Sequence, residues 1–226
     1  MHSFKLQKKS KKSYVTLFKM ALLVLEGSMM EIMHRACGAY GTNCYIVKIK
    51  DKELIIDPGV DAFAWVERNV KHPVAILNTH GHFDHVWSNA SLVKRFAVPI
   101  YAPKDDCFML ENDPFLQGTP SSKADVEVEG NQSFTIEGID VTFLHCPGHT
   151  PGCSMIRIVD KLFSGDFIFR RSIGRYDFPY SDASQMRRSL EQFLTLQDDW
   201  EIFPGHGEKT GVKEEQKNIP YWLEYF

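Results

Sequence analysis

Within six residues, His80-Gly81-His82-Phe83-Asp84-His85 sets three imidazoles and a carboxylate directly after an apolar run, Val74-Ala75-Ile76-Leu77. Neither a packed core nor a solvated surface explains such a cluster well. Imidazole and carboxylate together suit Zn²⁺, Fe or Mn, and neutral imidazole is the commonest protein ligand of such ions. On an extended or turning backbone His80 and His82 share one side, while Asp84 and His85 turn toward another. One short loop can thus feed two metal ions roughly 3.5–4 Å apart. The cluster alone does not tell one metal from two.

Three further positions have the same character. Pro147-Gly148-His149-Thr150-Pro151-Gly152 puts a histidine in a tight turn, Ser164-Gly165-Asp166 puts a carboxylate at a strand end, and Pro204-Gly205-His206-Gly207 repeats the first arrangement. Glycine beside each candidate ligand allows close backbone approach and φ > 0. A lone histidine in a turn is more often merely solvated. Four such loops at strand ends in one chain point together to a metal centre.

The elements that must position these loops alternate along the chain. Asn43–Ile49 and Leu54–Ile56 read as strands joined across Lys50-Asp51-Lys52, and Asp57-Pro58-Gly59 breaks the second. Asp61 is placed to cap a helix carrying Phe63, Val66 and Val70. Val74–Leu77 is a strand, a helix through Val86, Leu92 and Val93 follows the histidines, and Val98–Tyr101 is a strand. Residues 102–123 read as a loop with one short helix. Val126–Ile136, Val141–Leu144, Met155–Val159 and Leu162–Phe163 read as strands of a second sheet. Asp182 is placed to cap a helix with Met186, Leu190, Phe193 and Leu194 on one stripe, Glu201–Phe203 is the last strand, and Tyr221–Phe226 is a docked aromatic helix. Two strand groups, each attended by helices, predict two packed sheets with helices outside.

Composition fits one folded domain. The chain has 226 residues, 43% hydrophobic and 24% charged, with a formal net charge of −3. That balance argues against a dedicated nucleic-acid binder, and no apolar stretch reaches the roughly 18–20 residues that span a bilayer. The five cysteines are scattered without a CxxC pair, which predicts reduced thiols and a cytoplasmic protein. Residues 1–29 hold six lysines before the first acid, Glu26, and read as a dispensable extension to a domain over 30–226. His2, His34, His72 and His145 lack partner motifs and read as non-ligands.

In their order and context these motifs resemble the metallo-β-lactamase superfamily, from about Gly38 to Gly207 and including Asp57-Pro58-Gly59. The resemblance implies an α/β (α+β) protein, a four-layer αββα sandwich with the metal site at the edge of the sheets. It implies that His80, His82 and His149 hold a first metal, that Asp84, His85 and His206 hold a second, and that Asp166 bridges them. Asp57 would orient the site from behind the ligands. Asp166 stands where β-lactamases of the main zinc class carry cysteine, so antibiotic hydrolysis is not expected.

The stretches Ser164–Phe169 and Ile173-Gly174-Arg175-Tyr176-Asp177 are similar to the glyoxalase II (hydroxyacylglutathione hydrolase) group. That similarity implies hydrolysis of a small-molecule thioester such as S-lactoylglutathione by a metal-bridging hydroxide, with Asp84 orienting the nucleophile. It implies two divalent ions, zinc ahead of iron or manganese. Arg175 becomes the candidate substrate anchor through its planar guanidinium fork, and Tyr176 a candidate lining residue. The chain stops about twenty residues after His206, as in short glyoxalase II-like hydrolases rather than those with a C-terminal helical domain. The rival reading is a mononuclear-iron persulfide dioxygenase of the same fold. A non-catalytic metal-binding member is the third. The motifs are silent on oligomeric state.

Overall fold

The computed structural model describes residues 30–226, so the extension expected over 1–29, with His2, lies outside the described residues. The first sheet runs in the order β1 (Met30–Cys37), β2 (Thr42–Ile49), β3 (Lys52–Ile56), β4 (Pro73–Leu77), β5 (Ile100–Pro103) and β6 (Val126–Val128). Its first three strands are antiparallel and the later steps parallel. Parallel neighbours need crossovers. These are α1 (Phe63–Asn69), the pair α2 (Phe83–Val86) and α3 (Asn89–Phe96), and a 3₁₀ turn running into α4 (Cys107–Asn112).

The second sheet has the order β14 (Thr210–Gly211), β13 (Glu201–Pro204), β10 (Lys161–Gly165), β9 (Ser154–Ile158), β8 (Ile139–His145) and β7 (Gln132–Ile136). It is antiparallel except for the parallel β10–β13 pair. That crossover carries a small hairpin, β11 (Ile168–Phe169) with β12 (Ser172–Ile173), and α5 (Ala183–Phe193); α6 (Val212–Leu223) follows β14.

Alternation along the strands sorts the core into three seams, because successive side chains point to opposite sheet faces. Tyr45, Val47, Leu54, Ile56 and Leu77 meet Phe143, Ile156, Ile158 and Phe163 between the sheets. The intervening Cys44, Ile46, Ile55 and Ile76 pack outward on Val66 and Leu92 of the helices. Met155, Leu162 and Ile202 pack outward on Met186, Leu190, Phe193, Val212 and Ile219. The result is the expected αββα order.

Several expectations are corrected. β1 went unread, since its Glu31, His34, Arg35 and Ala36 are exposed and no apolar alternation marks it. Asp61 does not cap α1: it sits in a turn at φ +62, and Ala62 occupies the cap position without a side-chain bond. The helix after the histidines is broken into α2 and α3. The break is fixed by Ser88, whose N–H and hydroxyl donate to the carbonyls of Pro58 and Gly59 at 2.9 and 2.7 Å. Residues 126–136 are not one element, because β6 pairs in parallel with β5 of the first sheet and only β7 joins the second. The C-terminal helix spans Val212–Leu223 and so begins well before Tyr221; Leu223 and Phe226 dock on the outer seam, while Tyr221 and Tyr225 are exposed. Asp182 does cap α5, accepting from the Gln185 N–H at 2.9 Å.

Candidate metal centre

The ends of β3, β4, β8, β10 and β13 converge on one edge of the sandwich and deliver Asp57, the His80–His85 loop, His149, Asp166 and His206. Cross-sheet bonds hold that edge shut. The start of β2 clasps the loop after β13: the Asn43 N–H donates to Gly205 O at 2.7 Å, and the Asn43 side-chain amide donates to Pro204 O and Gly207 O at 3.0 and 2.9 Å. Gly205 is required by crowding, since a Cβ there would collide with Asp166 Oδ1 and His85 Cε1. Gly165 is required by conformation, at φ +50 against Thr79.

All seven side chains expected at the centre are brought together. Ring nitrogens of His80, His82 and His149 lie within 4.8 Å of one another, and so do ligand atoms of Asp84, His85 and His206. Asp166 stands between the groups: Oδ1 is 3.3 Å from His85 Nε2, while Oδ2 is 3.6 Å from His149 Nε2 and 3.4 Å from His206 Nε2.

A shell of acceptors aims the rings. Asp57, in left-handed backbone at φ +47, accepts from the Thr79 N–H at 2.8 Å, the Thr79 hydroxyl at 2.6 Å and His85 Nδ1 at 3.0 Å. With its proton given to Asp57, Thr79 Oγ1 accepts from His80 Nδ1 at 3.0 Å. His149 Nδ1 donates to Arg175 O at 2.7 Å and His206 Nδ1 to Tyr40 O at 3.1 Å. Carbonyl and carboxylate oxygens only accept, so these four rings carry their proton on Nδ1 and offer Nε2 to the centre. Asp57 thus bonds His85 directly and His80 through Thr79.

Sequence reasoning missed Thr42, Thr79 and Asp106. The Thr42 hydroxyl donates to Asp84 Oδ2 at 2.7 Å. Asp106, fully buried, accepts from the Gly81 N–H at 2.9 Å, the Thr150 hydroxyl at 2.6 Å and the Gly152 N–H at 2.6 Å. It ties the His80–His82 loop to the His149 loop. No local signal separates it from exposed Asp105.

Burial and charge act oppositely on the two groups. Burial pushes His80 and His149 down and His82 down to about 3, which leaves neutral rings. Burial also opposes charge on His85 and His206, but the Asp166 and Asp84 carboxylates outweigh it, raising His85 well above its ordinary value and His206 to about 9. Burial alone would raise Asp84 and Asp166, yet the adjacent His85 holds both below the usual carboxylate range.

Among the described residues the buried atoms His80 Nε2, His85 Nε2, His149 Nε2 and Asp166 Oδ1 have no hydrogen-bond partner. An unpaired buried polar atom costs about 1–3 kcal/mol. His80 and His149 present bare Nε2 lone pairs beside the carboxylates, and the His85 and His206 rings join them once their protons leave, a donor set that fits divalent metal ions. His82, Asp84, His149, Asp166 and His206 floor a cavity of about 420 Å³. A larger cavity of about 670 Å³ lies beside β14, but its Arg170 and Lys209 are paired with Glu208 and Glu201 and none of the seven residues lines it.

Arg175 lines the 420 Å³ cavity, with its side chain engaged by Asp177 at 2.9 and 2.8 Å. Tyr176 is a correction. It does not line the cavity, because its ring packs on Phe226 at 4.5 Å in the seam beneath α5 and α6.

The fold and centre define a four-layer αββα protein with a histidine–carboxylate metal-binding edge. The chain belongs to the metallo-beta-lactamase superfamily, whose sequence profile matches residues 37–206. Hydroxyacylglutathione hydrolase GloC of Haemophilus influenzae is 34% identical over 202 residues, covering 81% of this chain and 93% of that protein. Among solved structures, the BLEG-1 B3 metallo-beta-lactamase superposes with a TM-score of 0.78 at 31% identity, over 85% of this chain and 99% of its own. TTHA1623 in a di-iron-bound form superposes with a TM-score of 0.73 at 31% identity, over 84% and 99%. Among the described residues no helix is long and apolar enough to cross a membrane.

Proposed function

We propose that this chain is a dinuclear metal-dependent hydrolase of the glyoxalase II-like type, cleaving a small-molecule thioester of the class that S-lactoylglutathione exemplifies. The observation that carries this reading is the unpartnered set of buried Nε2 and carboxylate atoms at the floor of one cavity. His80, His82 and His149 would hold one ion, Asp84, His85 and His206 the other, and Asp166 both. Zinc is the first expectation; iron is supported by the di-iron-bound TTHA1623, and manganese suits the same donors. When bound, such ions supply a Lewis acid that lowers the pKa of water toward ~7 and polarises a carbonyl.

The chain's own groups do the rest. Asp84, fixed by Thr42 and kept ionised by His85, is an acceptor that orients an attacking water. The Nδ1 bonds of His80, His85, His149 and His206 hold the floor rigid as charge develops. Apart from the ligand residues, the cavity lining among the described residues carries no carboxyl group or histidine to act as general acid. A thioester suits this, because its thiolate, with a pKa near ~8.5, leaves without protonation. The name of GloC supports the same class. Five free, buried cysteines support a cytoplasmic setting.

The test is elemental analysis of the purified protein beside a substrate panel of glutathione thioesters, a glutathione persulfide with oxygen monitoring, and a β-lactam, the last because BLEG-1 bears that name. Two ions per chain with thioester hydrolysis is the expected result, and Asp166→Ala should lose metal and rate together, by about 10³-fold or more. One iron with persulfide-dependent oxygen uptake would replace the hydrolase by the dioxygenase. Cleavage of the β-lactam with thioesters untouched would make it a lactamase.

A further inference from the structure

The floor of the cavity is polar, but its walls are aromatic. On one flank Phe115 and Phe178 stand edge-on to His82, with ring centres 5.2 and 6.0 Å away. On the other, Phe169 lies 6.0 Å from His206, and Tyr40 packs edge-on against Phe83 at 5.2 Å, next to Asp84. Ile173 of β12 also lines the wall. The apolar surface continues outward. Tyr40 is 61% and Leu116 89% exposed, and Tyr180, 51% exposed, packs on Phe115 at 5.9 Å. Large apolar side chains gathered at the mouth of one cavity mark a ligand groove.

Most polar side chains in those walls are already engaged, the Tyr40 hydroxyl and the Gln117 side-chain oxygen apart. Among the described residues Arg175 is the one arginine or lysine in the lining. Both Asp177 oxygens hold its guanidinium, which also lies 4.1 Å over the Phe178 ring. The Gln117 amide donates to Phe115 O at 3.0 Å, and the Ser172 hydroxyl to Ile173 O at 3.5 Å. A hydroxyl or carboxylate beside the scissile carbonyl would meet mainly aromatic faces and lose hydration with few free partners to replace it.

We propose that the cavity selects a thioester whose acyl group is apolar, an aryl or medium-chain alkyl group rather than a hydroxyacyl, caged by Phe115, Phe178, Phe169, Tyr40, Phe83 and Ile173. This rests on the hydrolase reading above and names the substrate class of the same site. A hydrophobic pocket rewards each added apolar group and gives a hydroxyl nothing in return.

The test uses the metal-loaded protein and three thioesters of one thiol, S-lactoyl-, S-hexanoyl- and S-benzoylglutathione, so that only the acyl group varies. The expected kcat/KM for hexanoyl and benzoyl exceeds that for lactoyl by roughly tenfold or more. Phe178→Ala, at a position 37% exposed, should lower benzoyl hydrolysis roughly tenfold more than lactoyl hydrolysis. Equal rates, or preference for lactoyl, would overturn the cage while leaving the hydrolase intact. Should no thioester be cleaved, the hydrolase reading falls, and the cage is judged by calorimetry with inert thioethers. S-hexylglutathione binding roughly tenfold tighter than S-methylglutathione supports it; equal affinity removes it.

Discussion

The two halves of the centre are built from the same residue types and stand in opposite electrostatic states. Around His80, His82 and His149, burial dominates and the rings are neutral, with His82 pushed down to about 3. Around His85 and His206, the carboxylates of Asp84 and Asp166 dominate and raise both rings, His206 to about 9. The first half offers free lone pairs across the physiological range, whereas the second must shed protons before it can ligate. Exposure does not follow this split, since His85 is as fully buried as His80 and His149 while the His206 side chain is 28% exposed. The lesson is that a carboxylate beside a histidine converts a ready ligand into one competing with a proton.

Cutting one ligand from each half should break the comparison most strongly. His149→Ala is expected to leave the second position alone, from which dialysis removes the ion, and His206→Ala to leave one tightly held ion per chain, each with at least ~10²-fold loss of turnover. Elemental analysis after dialysis distinguishes them; equal metal loss from both variants would erase the asymmetry. Asp57→Asn is the next largest. It disturbs His80 through Thr79 and His85 directly, so metal affinity should fall about 10–100-fold in both halves. Competition with a chelating dye reads that change.

Asp106→Asn should affect the first half alone. Its amide NH₂ would face N–H and O–H donors where a carboxylate accepts three bonds, costing about 1–3 kcal/mol of stability. Denaturant unfolding measures that loss, and metal retention by the Asp84, His85 and His206 group shows whether it stays local. The smallest effect concerns pH in metal-stripped protein. His82 stays neutral in the fold to about 3 but protonates near 6.5 when unfolded, so its contribution to stability declines as pH falls below 6.5. His206 is raised to about 9, so its contribution is full below 6.5 and is lost as pH rises through 9. Melting temperatures at pH 5, 7 and 9.5 should therefore decline on both sides, and replacing His206 by Asn should shrink the alkaline decline to the part that the raised His85 contributes.

Much of the fold was legible because buried strands carry uninterrupted apolar runs. Ile55, Ile56, Ile76 and Leu77 are buried on both sheet faces, and their β-branched, continuous pattern announces it. β1 was hidden because a half-exposed edge strand holding Glu31, His34 and Arg35 has no such pattern. The placement of β6 was hidden for a different reason: three residues pairing with β5 across a long crossover leave no mark in local periodicity.

By itself the amino-acid sequence determined the donor set. His80, His82, His149, Asp166 and His206 flank glycines in loops after strands, with Asp84 and His85 in the same cluster as the first two, and that follows from residue types and spacing. Only the tertiary structure decided how those donors are aimed and charged. Thr79, Asp106 and the carbonyls of Tyr40 and Arg175 act through contacts 1 to 166 residues apart in the chain. It also separated Tyr176 from the cavity although Arg175 lines it. Hydrogen bonding and desolvation depend on distances of a few ångströms in space, and those distances come into being when the two sheets close upon each other.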